Sequence, residues 1–460
     1  MRCAVIFVAG AAVTALAPPP RSFVRRRVVV CSSSSSSSSS SNKEGEVEWI
    51  PFGLLMSAQL VLYTGVGAVI PAIPLYASAI GLSSASSGVV IAAPAAAMVA
   101  VSRVAGRAAD AGRKRPMMWG MGLIAVADYG TAVAGDFATL GASRVLLGIG
   151  RSVSEAGERG MLADMANRVP ALRGRALAAQ QTIAALGIAI GARVGGVVTE
   201  EFGIRANFLC VSVAALCALA LYAPLPETAP KVVATINSDD RVWPRLLGDD
   251  RWRALCACEC GVRFGFAAKI ASVPLLAARL YDGSPAAAGL VLSIAAISGL
   301  VAAPVGGLLI DRAGARATAL GSGLVAGLAL VLVPTACGAG GSDAFTALVA
   351  LWSAAVAVQG PALTAIAQLL AGADDDVATT LALPRAFADA TYVVAPFLLG
   401  LIADAYAKEV PGLDCAFAGL ATLLGASALL VLGDSLSRAN GLARPPPSRD
   451  NDAAASSRRR

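Results

Sequence analysis

The polar residues of this chain are confined to short intervals between long apolar runs. Stretches of about 20 apolar and small residues recur about twelve times between residues 50 and 434. A helix of this length crosses the hydrocarbon core of a bilayer, which is roughly 30 Å thick. The pattern therefore predicts an all-α polytopic membrane protein with twelve transmembrane helices.

The predicted spans form two groups of six that repeat one plan. Gly289 corresponds to Gly88, and Asp311 to Asp110, each about 200 residues further along the chain. This repeat predicts two pseudo-symmetric six-helix halves. The expected domains are a disordered leader over residues 1–45, an N-terminal half over 46–225, a linker over 226–251, a C-terminal half over 252–434 and a disordered basic tail over 435–460.

The leader has the composition of a targeting sequence. A short apolar run over residues 4–17 is followed by arginines and by the serine run 32–41, and no acidic residue precedes Glu44. Basic, serine-rich and acid-poor segments are typical of transit peptides, and an apolar core before one resembles a bipartite plastid leader. We expect a plastid envelope location. A secretory signal or a low-complexity tail, with a plasma or other endomembrane location, is the alternative.

Composition supports the membrane assignment and excludes several chemistries. Only 15% of residues are charged, against about 25% in soluble proteins. The chain has no histidine, which removes histidine proton relays and histidine metal ligands. Cys256, Cys258 and Cys260 cannot chelate one ion together, because helix positions two apart point about 200° apart. We therefore predict neither a metal site nor a cofactor.

The basic excess follows the membrane topology. The net charge is +7, and the arginines and lysines gather in the loops of one side. The positive-inside rule explains this distribution without a nucleic-acid partner. We expect a monomer in a lipid bilayer, with both termini on the basic side.

Two related loops carry the most specific motif in the chain. They contain Gly106, Asp110 and Arg113 in the first copy and Gly307, Asp311, Arg312 and Gly314 in the second. Both resemble the signature Gly-x-Leu-x-Asp-(Arg/Lys)-x-Gly-(Arg/Lys)-(Arg/Lys) of the major facilitator superfamily, although Ala108 and Ala111 depart from it. The resemblance implies alternating access, with these loops stabilising one facing state. Each aspartate is expected to meet a neighbouring helix N-terminus.

Two further motifs resemble those of the antiporters in this superfamily. Gly187, Gly191, Gly195 and Gly196 match the glycines of the helix-five motif, with Ala192 at the usual proline. A plain packing seam explains these glycines equally well. Arg144 matches the arginine of the helix-four motif Arg-x-x-x-Gly-x-Gly, which is linked to proton coupling in antiporter relatives. The resemblance therefore implies proton-coupled antiport.

Charged residues inside the predicted spans are the candidate site. Each costs at least about 2.5 kcal/mol at bilayer depth, so such residues usually face a cavity and mark function. Arg144, Arg151 and Glu155 share one face of the fourth span. Glu155 or Asp128 would carry the proton, although an Arg151–Glu155 pair that only fixes packing is the alternative. Further candidates are Arg193 in span five, Arg263 and Lys269 in span seven, and Arg385 and Asp389 in span eleven.

Basic groups outnumber acidic ones at mid-depth, which favours an anionic substrate such as an organic acid or a phosphate ester. The leading hypothesis is a secondary transporter that moves a small solute by alternating access, as a proton-coupled antiporter. A drug or xenobiotic efflux antiporter is one alternative. A non-transporting receptor or scaffold is another. No nucleophile–base pair is apparent, so an enzyme is not expected.

Overall fold

The structure is a computed structural model that describes residues 49–168, 173–229, 242–371, 377–406 and 409–432. Within these ranges the secondary structure is helical and contains no strand. The predicted leader, residues 230–241 of the predicted linker and the tail lie outside the described residues. The predicted domain boundaries therefore stay predictions.

The N-terminal half consists of six long helices joined by short turns. They are α1 (Trp49–Ala79), α2 (Ser84–Ala111), α3 (Lys114–Val133), α4 (Phe137–Arg168), α5 (Arg173–Phe202) and α6 (Ile204–Tyr222). Ser83 caps α2, because its hydroxyl accepts a hydrogen bond from the Ser86 N–H. Gly203 has φ +87°, which lets the chain reverse between α5 and α6 within one residue. We call the side of residues 112–116 the inner side and that of residues 80–83 the outer side.

The C-terminal half repeats this arrangement after a short helix, Val242–Leu247. It consists of α7 (Asp250–Ala271) with a continuation (Val273–Leu280), α8 (Pro285–Ala313), α9 (Ala315–Val331) with continuations (Val333–Thr335 and the π-helical Ala336–Gly340), α10 (Gly341–Leu370), α11 (Val377–Tyr406) and α12 (Leu413–Ala428) with a 3-10 turn (Leu429–Leu432). The 41° bend after α7 lies next to Pro274. A proline there cannot donate the backbone hydrogen bond that a continuous helix needs.

Most of the long helices can cross a bilayer. In the described part of the chain, nine are long and apolar enough to do so, or ten if α7 and its bent continuation form one span. The remaining two long helices are α3 and α4, which carry Asp128 and the charged face of the fourth predicted span. The prediction of an all-α polytopic membrane protein with two six-helix halves is confirmed.

The helices pack tightly within each half and along two seams between the halves. Within the N-terminal half, α1 packs on α5, and α4 packs on both α2 and α3. Between the halves, α5 packs on α8 and α2 packs on α11. Large apolar side chains such as Trp119 and Leu424 point outward. In a bilayer, these exposed side chains face the lipid.

Candidate solute-binding cavity

A cavity of about 200 Å³ lies inside the N-terminal half. Its walls come from α1, α2, α3, α4 and α6, and two residues of the other half, Ile270 and Tyr392, complete it. Most of the wall is aliphatic. The polar side chains that line it are Asp128, Arg144, Arg151 and Tyr392. Charge is therefore concentrated on one part of an otherwise apolar chamber.

Asp128 on α3 and Arg144 on α4 form a buried, loosely joined pair. Their side chains are only 3% and 8% exposed, and Arg144 Nη1 lies 3.9 Å from Asp128 Oδ1. That distance is too long for a hydrogen bond. Among the described residues, Asp128 Oδ1 and the Nε and Nη1 of Arg144 have no hydrogen-bond partner. The pair therefore keeps unused capacity to bind a proton, a water molecule or a solute.

Glu155 is held more firmly than Asp128. Its Oε1 accepts a hydrogen bond from Arg151 Nη2 at 2.8 Å, and its Oε2 accepts one from Arg159 Nη2 at 2.7 Å. Both carboxylate oxygens are thus engaged by cations, which favours the charged form. Arg151 still lines the cavity. The geometry makes Glu155 an anchor for Arg151 and leaves Asp128 as the better candidate for a proton carrier.

Two polar groups in this region were not assigned a role from the sequence. Tyr392 on α11, in the C-terminal half, lines the cavity together with Arg144 and Arg151 of the N-terminal half. Glu158 on α4 is 3% exposed, and its Oε1 accepts a hydrogen bond from Ser154 Oγ at 2.6 Å. A tyrosine in an apolar helix reads as a core residue, so no sequence signal marks Tyr392. The four-residue spacing of Ser154 and Glu158 was a usable signal for their contact.

The candidates of the C-terminal half form a separate group that does not line the cavity. Asp389 lies between two arginines, with its Oδ1 3.4 Å from Arg263 Nη2 and its Oδ2 4.0 Å from Arg385 Nε. Lys269 Nζ lies 5.5 Å from the ring centre of Trp352 and 5.8 Å from that of Phe266. These distances are within the range of cation–π contacts.

Arg193 does not reach the cavity. Its Nη1 donates a hydrogen bond to the carbonyl oxygen of Ala286 at 3.1 Å, across the seam between α5 and α8. Arg193, on α5, is therefore separated from Arg144 and Arg151, the cationic candidates on α4.

The helix-five glycines serve two packing surfaces. Gly187, Gly191 and Gly195 face α1, and a Cβ at Gly191 would overlap the carbonyl oxygen of Thr64. Gly196 faces α8 in the other half, where a Cβ would lie 2.8 Å from the carbonyl oxygen of Pro285. Small residues are needed at both surfaces because the backbones approach so closely.

The first signature loop is organised by Arg113. Its Nε donates to Asp164 Oδ2 at 3.0 Å, and its Nη1 donates to Asp110 Oδ1 at 3.2 Å and to the carbonyl oxygen of Ala109 at 2.7 Å. The expectation that Asp110 caps a neighbouring helix needs correction. The carboxylate at the N-terminus of α3 is Glu227, which accepts from the backbone N–H of Arg113 at 2.7 Å and of Lys114 at 3.1 Å. Asp110 instead points toward solvent, with its side chain 58% exposed.

The second signature loop is held by a different arginine: Arg316 donates hydrogen bonds through Nε to the carbonyl oxygen of Leu429 at 3.2 Å and through Nη2 to that of Leu430 at 3.1 Å. Asp311 and Arg312 are exposed at the end of α8. A Cβ built at Gly307 would have no described atom within 4 Å. Gly314, with φ +87°, ends α8 and begins α9. Similar sequences thus form different local contacts, because α3 meets Glu227 and Asp164 at the first loop.

The described residues contain no group of three or more acidic or cysteine side chains that could hold a metal ion.

Two repeated six-helix halves, with a partly charged cavity in one half that residues of the other complete, are consistent with the architecture of a secondary transporter. The sequence model of the Major Facilitator Superfamily matches residues 55–257 and 255–459. The chain therefore belongs to this superfamily, and the resemblance seen in its two signature loops is confirmed at that level.

Individual relatives are more distant. The quinolone resistance protein NorA of Staphylococcus aureus strain MRSA252 is 26% identical over 194 residues, which cover 42% of this chain and 49% of that protein. NorA of strain Mu50 matches to the same extent. The chain thus spans about half the length of the curated relatives it matches. A crystal structure of a mutant of the nucleoside transporter NupG superposes with a TM-score of 0.69 at 12% identity, over 83% of this chain and 99% of that one. That likeness concerns the fold alone.

Proposed function

We propose that this protein is a proton-coupled secondary transporter that moves a small solute through the cavity at Asp128 and Arg144. The observation that carries the proposal is the loose, buried pair of these two residues in the wall of an otherwise apolar chamber. Burying both charges is costly unless their interactions are well satisfied. Here hydrogen-bonding capacity remains unused on both side chains, as expected of a site that exchanges partners during a transport cycle.

The solute that fits best is a small anion with an apolar body. Asp128, Arg144 and Arg151 give the cavity one more cation than anion. A guanidinium binds a carboxylate or a phosphate through two parallel hydrogen bonds. A volume of about 200 Å³ is below the roughly 300–1,000 Å³ of pockets for drug-sized ligands.

The charge of the solute decides the direction of coupling. An anion on Arg144 displaces Asp128 from its partner, and the freed carboxylate then favours a bound proton, so proton and anion travel together. A cation competes with the proton for Asp128, which produces antiport. The antiport implied by the superfamily resemblance therefore requires a solute that binds Asp128.

A drug or xenobiotic efflux antiporter is the second candidate. It is favoured by the mainly aliphatic wall and by the similarity to NorA, whose name describes quinolone resistance. The cavity of a non-transporting receptor would have no need of the loosely joined pair.

The plastid envelope as location and the monomeric state are further parts of this proposal, and the location rests on the composition of residues 1–45.

The test is uptake into proteoliposomes with and without an imposed pH gradient. The probes are a short-chain aliphatic carboxylate and the amide and amine with the same carbon skeleton. We expect the carboxylate to accumulate with the proton gradient. Arg144→Gln should lower its uptake about tenfold or more, and Asp128→Asn should abolish the gradient dependence while exchange continues. The matched controls are Arg103→Gln and Asp282→Asn, since both residues are exposed.

Amine transport against the proton gradient, lost in Asp128→Asn, would replace the anion assignment with the efflux assignment. Unchanged carboxylate flux in Arg144→Gln and Asp128→Asn would remove the cavity from the transport path. No flux of any probe, combined with no thermal stabilisation by any probe, would favour the receptor reading.

A further inference from the structure

The N-terminus of α8 receives a carboxylate from the opposite half at the outer side of the molecule. Glu200, near the end of α5, accepts a hydrogen bond from the Ala286 N–H at 3.0 Å through its Oε2. The same oxygen accepts a hydrogen bond from the hydroxyl of Ser284, the N-cap residue of α8. A carboxylate at this position also interacts favourably with the helix dipole.

The N-terminus of α2 has the same arrangement with the halves exchanged. Asp404, near the end of α11, accepts hydrogen bonds from the Ser84 N–H at 2.7 Å through Oδ1 and from the Ala85 N–H at 2.9 Å through Oδ2. Ser83 and Ser284, the N-cap residues of α2 and α8, occupy corresponding positions in the internal repeat, as do Asp404 and Glu200. Each half therefore donates one carboxylate to the other and receives one in return.

Close backbone contacts surround both carboxylates. A Cβ at Gly400 would overlap the Ser84 carbonyl oxygen, and a Cβ at Gly88 would overlap that of Pro396. On the other seam, a Cβ at Gly289 would overlap the carbonyl oxygen of Ala192. The outer ends of α2 and α8 are thus held against α11 and α5 with no space for side chains between the backbones.

The inner ends of α2 and α8 are not held in this way. Val104 on α2 is 64% exposed, and Leu308 on α8 is 55% exposed. A Cβ built at Gly106 would also have no described atom within 4 Å. Among the described residues, the glycines Gly106 and Gly307 near the inner ends of α2 and α8 thus make none of the close backbone contacts between the halves that hold the outer ends.

We propose that Glu200 and Asp404 are paired positioning residues that latch the outer side of the transporter closed, and that both contacts must open in each transport cycle. The inference rests on the proposed alternating-access function. Each latch consists of hydrogen bonds from backbone N–H or hydroxyl groups to one carboxylate. When a latch opens, water can hydrate both the carboxylate and the helix N-terminus, so the contact is strong enough to hold and weak enough to release.

The α5–α8 latch has an additional bond. Arg193 donates to the Ala286 carbonyl oxygen next to Glu200. The position that corresponds to Arg193 on α11 is Phe397, which cannot donate a hydrogen bond. Removal of the Asp404 carboxylate should therefore open the outer side more than removal of the Glu200 carboxylate.

The experiment measures distances between the halves in the full chain in lipid nanodiscs. Spin labels on unnatural amino acids at positions 136 and 282 report the outer side, and labels at 107 and 312 report the inner side. We expect Asp404→Asn to raise the population with a long outer distance about fivefold, Glu200→Gln to raise it less, and the double variant to raise it further. The inner distance should shorten in the same population. Loss of a merely structural cap would broaden the outer distances without shortening the inner ones.

The matched control is Glu201→Gln, which removes the neighbouring exposed carboxylate. Glu200→Asp and Asp404→Glu, which keep the charge, should restore much of the wild-type distribution. Wild-type distances on both sides in the double variant would overturn the proposal, and if the double variant does not fold, wild-type distances in both single variants would do so. Because the distances need no solute, this result is independent of the uptake test: a shift without uptake leaves the latch and removes the proposed function, and uptake without a shift does the reverse.

Discussion

The outer ends of α2 and α8 contact the opposite half, whereas the polar contacts at the inner end of α2 lie within its own half and the adjoining segment. At the outer ends, backbone lies against backbone and carboxylates of the other half bind the exposed N–H groups. At the inner ends, the strong polar network around Arg113 lies within the N-terminal half and its adjoining segment. The hydrogen bonds proposed to break during transport connect the two halves and involve few groups. The hydrogen bonds around Arg113 lie within one half and its adjoining segment and involve more groups.

This difference explains how two bundles can separate without unfolding. Membrane helices gain little hydrophobic energy from contact with each other, since lipid chains are equally apolar. A seam of glycines and two carboxylates can therefore open at small cost. The network of Arg113 with Asp110 and Asp164 instead moves as one body with its half.

Placing side chains in the outer seam should have the largest effect. Gly400→Val puts a branched side chain against the Ser84 carbonyl, so the outer side cannot close and uptake should fall more than tenfold. Uptake and the outer spin-label distance measure this together. Gly122→Val, on α3, is the control and should keep most of the activity because a Cβ there meets no described atom. Equal losses in both variants would mean that the loss does not come from the outer seam.

Breaking the inner network should come next. Arg113→Gln removes the ion pair with Asp164 and the contact with Asp110, and we expect about 2 kcal/mol of destabilisation, because the Asp110 side chain is largely solvated. Thermal unfolding in detergent measures it. Arg312→Gln in the second loop should change the melting temperature little, since Arg312 is exposed. A larger loss in Arg312→Gln would mean that the second loop carries the structural network.

A smaller effect separates the two glycines of the second loop. Gly314 has φ +87° and ψ 155°, a conformation essentially restricted to glycine, so Gly314→Ala should cost about 1–3 kcal/mol. Gly307→Ala lies in a helix with open space beside it and should be neutral or slightly stabilising. Melting temperatures of the two variants compare them directly. The reverse order would show that Gly307 supports a close contact.

The smallest effect concerns pH. Partial burial opposes ionisation of Glu227, but hydrogen bonds from the backbone N–H groups of Arg113, Ala229, Lys114 and Thr228 outweigh it and lower its pKa. A lowered pKa means that Glu227 stabilises the inner loop above the ordinary glutamate pKa, and that this contribution disappears as the pH falls through the lowered value. The melting-temperature difference between wild type and Glu227→Gln should follow that course. A constant difference across acidic pH would contradict it.

Much of the candidate site was predictable because charge inside a membrane is rare. Asp128, Arg144 and Arg151 stood out within apolar runs, and the structure brings all three to one cavity. Their roles remain predictions. Tyr392 could not be found in this way, because a tyrosine costs little in an apolar helix and its position depends on how the halves meet.

The sequence by itself determined the helices, their number and their duplication, because a chain in lipid must satisfy its backbone within each span. It also determined which charged side chains lie inside the spans, where their free-energy cost at bilayer depth makes a functional role the expectation. Only the tertiary structure decided which carboxylate meets which cation: Glu155 is held by two arginines, while Asp128 keeps a loose partner. Only the tertiary structure placed Glu200 and Asp404 at helix N-termini of the opposite half. Helix formation follows from local hydrogen bonding and burial in lipid, whereas these contacts depend on which helix faces fit together.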